Sequence, residues 1–372
     1  MSYPIPIQNL YYLFCYAWDR MEEGRAVDVG GVESPELVDL FAKVLVDGTH
    51  HLLRLGVERS YLPFTEDLST LRGRISLDQS LRLIAAGAPR LVCEFDELHH
   101  DTPANQILKA TMARLAATNG IDRKLAHELG LLRKSFREVS EIRLTRAHFR
   151  MVRIHRNNAF YRFLLKICEL VFDACLPESG GTRYRFVDIL RDEKRMALVF
   201  QAFVRNFFRI EQKVLTVKPL ELRWDVQGGT NAALGLLPKM TTDIHLIGLG
   251  RRLIIDTKYS PKLFQSYFEK ASFRSEHLYQ LFSYVKNAEA LGDSYLDVEG
   301  VLLYPAVDHE IDEWFEVQGH SLRVATVNLN QDWQRIRADL LSFLARRESN
   351  SPAELSPFGR AGVGSSMDGR SG

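Results

Sequence analysis

The chain has 372 residues, of which 46% are hydrophobic and 26% are charged, and its formal net charge at pH 7 is +1. This length is enough for two hydrophobic cores, because a domain commonly contains about 150 residues, and we expect a globular protein. The near-zero net charge excludes a basic field over the whole molecule. Any affinity for nucleic acid therefore has to come from a local patch or from a partner.

Membrane insertion and secretion are not expected. The longest apolar runs, such as residues 197–204, fall far short of the roughly 20 residues that span a bilayer. The N-terminus has no basic stretch followed by an apolar core and a cleavage site. The four cysteines are far apart and form no C-x-x-C pair, so neither a disulfide framework nor a zinc site is predicted. We expect a cytoplasmic protein with reduced thiols.

The first part of the chain is predicted to mix helices and strands. Apolar residues recur at helical spacing in residues 10–18 and 35–55, and Ser34 is the predicted N-cap of the second helix. Short strands are predicted around Gly73 and Val92, followed by a helix over residues 103–118. We therefore expect an α+β N-terminal domain, residues 1–155.

A basic segment follows at residues 133–156, where eight Arg or Lys residues stand against two acids, Glu138 and Glu141. Apolar residues alternate with these charges. Two interpretations remain open: a local patch that binds nucleic acid, or a half-buried strand whose arginines only face water.

The second part of the chain is predicted to be an α/β domain, residues 156–347. Its lead-in helix, residues 160–176, ends at Pro177 and the Gly-containing loop 178–181. Helices are then predicted at 196–210, 273–290 and 333–347, and strands at 214–224, 241–247, 253–259 and 300–304. This order predicts a central mixed sheet flanked by helices. Residues 348–372, rich in Ser, Gly and Pro, are predicted to be a disordered tail.

One acid-x-lysine pair stands out by its position in the chain. The pattern occurs four times, as Asp122/Lys124, Asp192/Lys194, Glu211/Lys213 and Asp256/Lys258. Only Asp256 and Lys258 follow a continuously apolar predicted strand, where unpaired buried charges would cost several kcal/mol. Side chains alternate along a strand, so this carboxylate and this ammonium share one face.

A magnesium site is predicted at this strand. The glycines of the turn 248–251 suit a hairpin that brings Asp243 beside Asp256. Two carboxylates, with a backbone carbonyl such as that of Thr257, suit Mg²⁺, which prefers oxygen ligands and keeps several waters. Lys258 is then placed to hold or help deprotonate a water and to offset negative charge in phosphoryl transfer. The alternative is a structural Asp–Lys ion pair.

Two neighbouring helices supply further candidates for this site. Gln280 and Tyr284 are four residues apart on the helix that follows, so both can face a phosphate or orient Lys258. On the preceding helix, Gln201 faces inward and would be a weaker metal ligand than a carboxylate. No G-x-x-x-x-G-K-[ST] loop is present, so a nucleotide-driven motor has to be another polypeptide.

The helix, the strands carrying Asp243 and residues 256–258, and the helix with Gln280 resemble the PD-(D/E)xK nuclease superfamily. More narrowly, the chain resembles the McrC family, the nuclease subunits of modified-cytosine restriction systems, over about residues 4–345. The segments that carry this resemblance are residues 5–18, 73–75, 101–105, 237–243, 253–259, 278–281, 303–305 and 327–329. Gln201 departs from the superfamily pattern, because many of these nucleases have glutamate there.

The resemblance implies a function and a partner. It implies a Mg²⁺-dependent endonuclease that cuts modified-cytosine or foreign double-stranded DNA, with Asp243, Asp256, Lys258 and Gln280 at the catalytic site. It also implies an McrB-like AAA+ GTPase hexamer as partner, with the N-terminal domain docking on that ring and stimulating GTP hydrolysis. The alternative is a non-catalytic activator or scaffold subunit with a vestigial nuclease fold.

Overall fold

The computed structural model describes residues 5–29, 36–154, 158–178, 183–260, 264–267, 270–306 and 310–345. The α-helices in these residues are α1 (Ile7–Ala17), α2 (Met21–Gly24), α3 (Leu37–Leu55), α4 (Leu77–Ala85), α5 (Pro103–Ala116), α6 (Arg123–Ser135), α7 (Arg146–Met151), α8 (Ala159–Ala174), α9 (Glu193–Glu211), α10 (Asn231–Gly235), α11 (Ser275–Ala288) and α12 (Trp333–Ser342). None of the helices in these described residues is long and apolar enough to cross a membrane.

The strands are β1 (Ser60–Leu68), β2 (Arg74–Ile75), β3 (Leu91–His99), β4 (Cys175–Pro177), β5 (Tyr184–Phe186), β6 (Thr216–Lys218), β7 (Glu221–Leu222), β8 (Met240–Thr241), β9 (Ile244–Gly248), β10 (Arg251–Thr257), β11 (Phe264–Tyr267), β12 (Lys270–Phe273), β13 (Glu299–Pro305), β14 (Asp312–Val317) and β15 (His320–Val327). They confirm the predicted mixed α/β class.

The central sheet has six strands in the order β14-β15-β13-β10-β9-β6. Its middle strands, β10, β13 and β15, run parallel, whereas β9, β6 and β14 pair antiparallel with their neighbours. Every residue of β10 from Leu253 to Thr257 is buried, as expected for a strand covered on both faces. The predicted central mixed sheet is confirmed.

Two hydrophobic cores cover the two faces of this sheet. Helix α9 buries an aromatic stripe at helical spacing, which includes Phe200, Phe203 and Phe207, against the larger core. The larger core also receives α1, α3, α5 and α8. Helix α11 covers the opposite face with Leu281 and Val285 in a smaller core. The end of β10 therefore lies between α9 and α11.

A separate three-stranded sheet, in the order β1-β3-β2, is formed by residues before α5. Helix α4 lies against β3, and the chain then enters α5, whose N-cap is Thr102. Strands β2 and β3 confirm the predicted strands near Gly73 and Val92, whereas β1 and α4 were not predicted. Gly73 has a φ of +68°, and a Cβ there would lie 2.3 Å from the Glu94 carbonyl oxygen, so only glycine fits.

The predicted division of the chain near residue 156 stays a prediction. Helix α8, which follows it, packs against α3 and α5, and α1 packs against α9. The four cysteines are buried and form no disulfide with one another.

Several predictions about individual elements were wrong. The single strand expected at 214–224 is two short strands, β6 and β7, in different sheets, because residues 219 and 220 turn away from the central sheet. The strand expected at 241–247 is interrupted at Thr242 and Asp243, which separate β8 from β9. Strands β14 and β15 and the hairpin β11–β12 were not predicted.

The alternative of a half-buried strand in the basic segment was also wrong. Residues up to Ser135 belong to α6, and residues 146–151 form α7, with an irregular stretch between them. The proposed N-cap Ser34 and the tail 348–372 lie outside the described residues; α3 begins at Leu37, with Glu36 at its N-cap position.

Candidate active site

A two-residue turn aligns the strands that carry the acidic residues. Arg251 pairs with Gly248, leaving Leu249 and Gly250 as the turn, and both have positive φ values of 51° and 69°. Positive φ at both positions is the pattern of a type I′ hairpin. The register that follows places Ile244 opposite Ile255, so Asp243 comes opposite Asp256 one step further on.

The side chain of Asp243 accepts a hydrogen bond from the end of β10, where β9 no longer provides a backbone carbonyl. Its Oδ2 accepts hydrogen bonds from the Thr257 backbone N–H at 2.8 Å and from Thr257 Oγ1 at 2.7 Å. The ladder between β9 and β10 has stopped at this point, so the carboxylate satisfies a backbone donor that would otherwise be unpaired. The Thr257 carbonyl lies on the same side of the strand as its N–H, towards Asp243.

Helix α9 holds Asp243 from the other side. Gln201 Nε2 donates to Asp243 Oδ1 at 2.7 Å, and Arg205 Nε donates to the Asp243 carbonyl oxygen at 2.9 Å. The two donors are four residues apart and thus share one face of the helix. Sequence reasoning missed Arg205, although its spacing from Gln201 was visible.

Asp256 is buried, with 1% of its surface exposed, at the end of β10. Burial raises the pKa of its carboxyl group to about 6, and the nearby charge of Asp243 adds to this, while Lys258 opposes it. Lys258 Nζ lies 2.8 Å from Asp256 Oδ2, yet this oxygen receives no hydrogen bond of good geometry from the described residues. We therefore regard the contact as an ion pair, with lone pairs still available on a buried carboxylate.

Lys258 is connected to α11 through an amide. Its Nζ donates to Gln280 Oε1 at 2.7 Å, and Gln280 Nε2 donates to the Tyr284 hydroxyl at 2.8 Å. Of the predicted i, i+4 pair, Gln280 thus contacts Lys258 directly, and Tyr284 is linked to it through Gln280. Burial and the charges of Asp256 and Asp243 raise the pKa of Tyr284, so its hydroxyl is protonated at neutral pH.

The N-terminal turn of α11 adds a polar rim that was not predicted. His277 Nδ1 lies 2.8 Å from the hydroxyl of Tyr304, which is at the end of β13. Burial, together with the positive charges of Lys258 and Arg274, lowers the pKa of His277 to about 4. This imidazole is therefore neutral at pH 7 and adds no charge beside Lys258.

The other three acid-x-lysine pairs have structural surroundings. Asp122 caps α6 by accepting from the Lys124 and Leu125 N–H groups, and Asp192 caps α9 by accepting from the Arg195 N–H. Glu211 accepts from the Tyr16 hydroxyl and from Arg337. Among the four, Asp256 and Lys258 alone meet a second carboxylate and an amide at the end of a buried strand.

The donor set fits a divalent cation that needs few protein ligands. Two carboxylates and a backbone carbonyl meet there, and no group of three or more His, Cys, Asp or Glu side chains that could hold a metal occurs in the part of the chain described. Magnesium commonly keeps several waters and binds through one or two carboxylates, so the arrangement suits it better than zinc, which favours four protein ligands in structural sites.

The sequence of the chain is similar to that of a known protein family. Residues 8–305 match a family model described as McrBC 5-methylcytosine restriction system component. The chain is 32% identical over 342 residues to the Type IV methyl-directed restriction enzyme EcoKMcrBC of Escherichia coli strain K12, covering 91% of this chain and 96% of that protein.

A solved structure has a similar fold. It is a chain in the refined half-complex from the tetradecameric assembly of Thermococcus gammatolerans McrB AAA+ hexamers with bound McrC. The TM-score is 0.60 at 15% identity, over 91% of this chain and 76% of that one. At this identity the likeness concerns the fold.

Proposed function

Because the chain belongs to the family of McrBC 5-methylcytosine restriction system components, we propose that it is the DNA-cleaving subunit of a restriction complex. The reaction is Mg²⁺-dependent hydrolysis of phosphodiester bonds in double-stranded DNA. The observation that carries this proposal is the meeting of Asp243, Asp256, Lys258 and Gln280 at one end of the central sheet.

Asp243 and Asp256, with the Thr257 carbonyl, are the proposed ligands of the ion. When bound, magnesium would supply Lewis-acid activation of the scissile phosphate and of the attacking water. Gln201 and Thr257 hold the Asp243 carboxylate in place through three hydrogen bonds, so little reorganisation of this side chain is needed on binding. The lone pairs of Asp256 that receive no hydrogen bond are available to a cation.

Lys258 has two proposed tasks. Its ammonium group carries positive charge to the place where negative charge builds on the phosphate, and it can hydrogen-bond the attacking water. Gln280 Oε1 accepts a hydrogen bond from one of the three N–H groups of this ammonium. This bond restricts the Lys258 side chain to one direction. Tyr284 orients the Gln280 amide, so it is a positioning residue.

The partner of this subunit is proposed to be an AAA+ GTPase hexamer, because McrC is bound to McrB AAA+ hexamers in the solved complex of similar fold. The N-terminal domain is the proposed docking element. Its small sheet and α4 expose large apolar side chains, namely Tyr61, Leu71, Leu77, Leu81, Ile84 and Leu98. Several exposed apolar residues on one small module indicate a protein interaction site.

A second candidate function is a non-catalytic activator of the same ring. The observation that favours it is Gln201, which puts an amide next to Asp243 where a further carboxylate could have completed the ligand set. Intact Asp243, Asp256 and Lys258 favour the nuclease. Cleavage of DNA by the assembled complex separates the two candidates.

The test substitutes Asp256→Asn, which preserves volume and removes a metal ligand. We expect Mg²⁺-dependent cleavage by the complex with its partner ring and GTP to fall at least about 100-fold, while stimulated GTP hydrolysis is unchanged. Cleavage is measured on methylated plasmid DNA. The matched control is Asp122→Asn in another acid-x-lysine pair; Asn is an equally good N-cap, so its activity should be normal. Wild-type cleavage rates in Asp256→Asn would refute the nuclease assignment, and no cleavage by the wild-type complex would favour the activator.

A further inference from the structure

The basic segment concentrates positive charge in one part of the chain. Residues 133–153 contain seven Arg or Lys residues and two acids, a net charge of +5 in a chain of net charge +1. The rest of the chain is therefore net negative. A local positive field of this kind is the electrostatic footprint expected of a surface that binds polyanions.

The segment is fastened to the larger core by its apolar side chains. Ile142, Leu144, Phe149, Val152 and Ile154 are half-buried and pack against that core. Between them, Arg143, Arg150 and Arg153 are exposed. The apolar side chains hold the segment against the core. The arginines between them therefore face the solvent.

Most of these cations have no acidic partner. Arg133 pairs with Glu141, and Arg146 pairs with Asp173. The remaining five form no salt bridge within the described residues, and we call them the basic strip: Lys134, Arg137, Arg143, Arg150 and Arg153. A folded protein that leaves neighbouring like charges unneutralised loses some stability to repulsion, which a bound anion would remove.

The size and chemistry of the basic strip suit the backbone of a nucleic acid duplex. Arginine predominates, and its planar guanidinium binds phosphate through two hydrogen bonds. Three extended residues and one helical turn separate Arg143 from Arg150, so their Cα atoms are at most about 16 Å apart. A B-form duplex presents about nine phosphate charges over that length.

The basic segment is joined to α9 by two ion pairs that share one carboxylate. Asp173 pairs with Arg146 of the segment and with Arg195 of α9. Gln201 follows six residues after Arg195 on α9, an axial distance of about 9 Å. The basic segment is therefore fastened to the same helix whose Gln201 holds Asp243.

We propose that the basic strip binds the phosphate backbone of duplex DNA beside the cleavage site. This inference rests on the proposed function for the identity of the substrate, but it concerns binding and not cleavage. Contacts to phosphate carry no base sequence, so the strip adds affinity and direction without adding sequence specificity.

The test measures binding of the full chain to a fluorescent 20-base-pair duplex by anisotropy in magnesium-free buffer, at several KCl concentrations. The variant is Arg143→Gln/Arg150→Gln/Arg153→Gln. We expect affinity at low salt to fall by at least about tenfold and the salt slope to fall by about three, because each lost phosphate contact removes about 0.9 from the slope. The control variant, Arg82→Gln/Lys213→Gln/Arg335→Gln, makes the same change of net charge at exposed positions outside the segment and should bind as wild type does.

The outcomes distinguish this inference from the proposed function. Equal salt slopes for the strip variant and wild type, or no DNA binding by wild type at low salt, would overturn the inference even if the complex cleaves DNA. A strip variant that binds DNA normally but fails to assemble with the partner ring would assign the surface to protein and would also overturn it. Failure of cleavage with normal strip-dependent binding would count against the nuclease alone. Melting temperatures of both variants should match wild type, since the substituted side chains are exposed.

Discussion

At the scale of single residues, the carboxylates of the acid-x-lysine pairs share one sequence pattern but differ in their surroundings. Asp122 and Asp192 use their oxygens to cap helix N-termini, while Asp256 is buried beside a second carboxylate with its pKa raised to about 6. With a pKa of about 6 this carboxyl group is still mostly ionised at pH 7, and a neighbouring cation favours the ionised form further. The ion pair with Lys258 also favours the ionised form of Asp256.

Substitution of Lys258 separates its chemical role from a structural one. For Lys258→Ala we expect the single-turnover cleavage rate of the complex to fall about 100-fold or more, because the transition state loses a positive neighbour. Magnesium affinity of the free chain should be unchanged or higher, since that neighbour also repels the cation. Single-turnover kinetics measure the cleavage rate, calorimetry measures the magnesium affinity, and the melting temperature reports the stability of the variant.

The matched control for this substitution is Lys213→Ala, which changes an exposed lysine in another acid-x-lysine pair and should leave cleavage at the wild-type rate. If Lys258→Ala cleaved normally but melted at a much lower temperature without metal, Lys258 would be a structural ion-pair partner.

At the scale of elements, strand β9 places apolar side chains on one face of the sheet and a buried histidine on the other. Ile244 and Leu246 face the larger core, whereas His245 is directed to the opposite face and is 0% exposed. Neither of its ring nitrogens has a hydrogen-bond partner in the described residues, and its ring lies 5.7 Å from that of Tyr295. Burial, with the charges of Lys218 and Arg252, lowers the pKa of His245 to about 4.

This histidine should make the fold sensitive to acid. Its pKa in the folded chain lies below the value of 6.5 for an unperturbed histidine, so the unfolded chain takes up the proton first as pH falls. Stability from the neutral form is complete above about pH 6.5 and is lost as pH falls towards 4. For His245→Leu we expect a flatter decline in that window and a gain of about 1–3 kcal/mol at pH 7, because a buried polar group without a partner is removed.

Urea unfolding of the metal-free chain at several pH values measures this effect. Comparison of variants is needed because Asp256, with a raised pKa, shifts stability in the opposite direction between about pH 4 and 6. His50→Leu, which alters an exposed histidine, controls for the substitution. An unchanged pH profile in His245→Leu would show that this residue does not set the acid sensitivity.

At the scale of the whole molecule, the first helix contacts residues more than 300 positions later in the chain. Asn9 on α1 donates to the carbonyl oxygens of Leu329 and Gln331 at 2.8 and 2.7 Å. Tyr16 and Arg337 both bind Glu211 at the end of α9. The first helix is therefore fastened to the part of the molecule that carries the proposed nuclease site.

The free chain should be nearly inert on DNA. Its net charge is +1 and its sequence has no nucleotide-binding loop of the P-loop type. In moderate salt with Mg²⁺ we expect no measurable cutting of duplex DNA by the purified chain, and cutting when the partner ring and GTP are added. Gel assays of plasmid nicking check this. Robust cutting by the chain alone would contradict it, and Asp256→Asn in the complete mixture controls for contaminating nucleases.

Local patterns in the sequence were sufficient to predict several helices and the residues that meet at the candidate site. Apolar periodicity predicted α1, α5, α9 and α11 to within a few residues, because their buried stripes repeat at helical spacing. The hairpin turn and the buried strand before Asp256 predicted that Asp243, Asp256 and Lys258 would meet, since register follows from a two-residue turn. The continuously apolar strand had already singled out Asp256 and Lys258 among the four similar pairs, and the resemblance to a nuclease family agreed with that choice.

Tertiary structure alone decided the remainder, because it depends on contacts between residues far apart in sequence. Neither the three hydrogen bonds that hold Asp243 nor the burial that raises the pKa of Asp256 could be read from spacing. The same holds for the basic segment: alternation of charge and apolar residues fitted a strand, but packing against the larger core made it a helix and an irregular stretch with arginines facing outwards. The sequence determined which groups were available, and the packing of α9 and α11 on the sheet determined which of them meet.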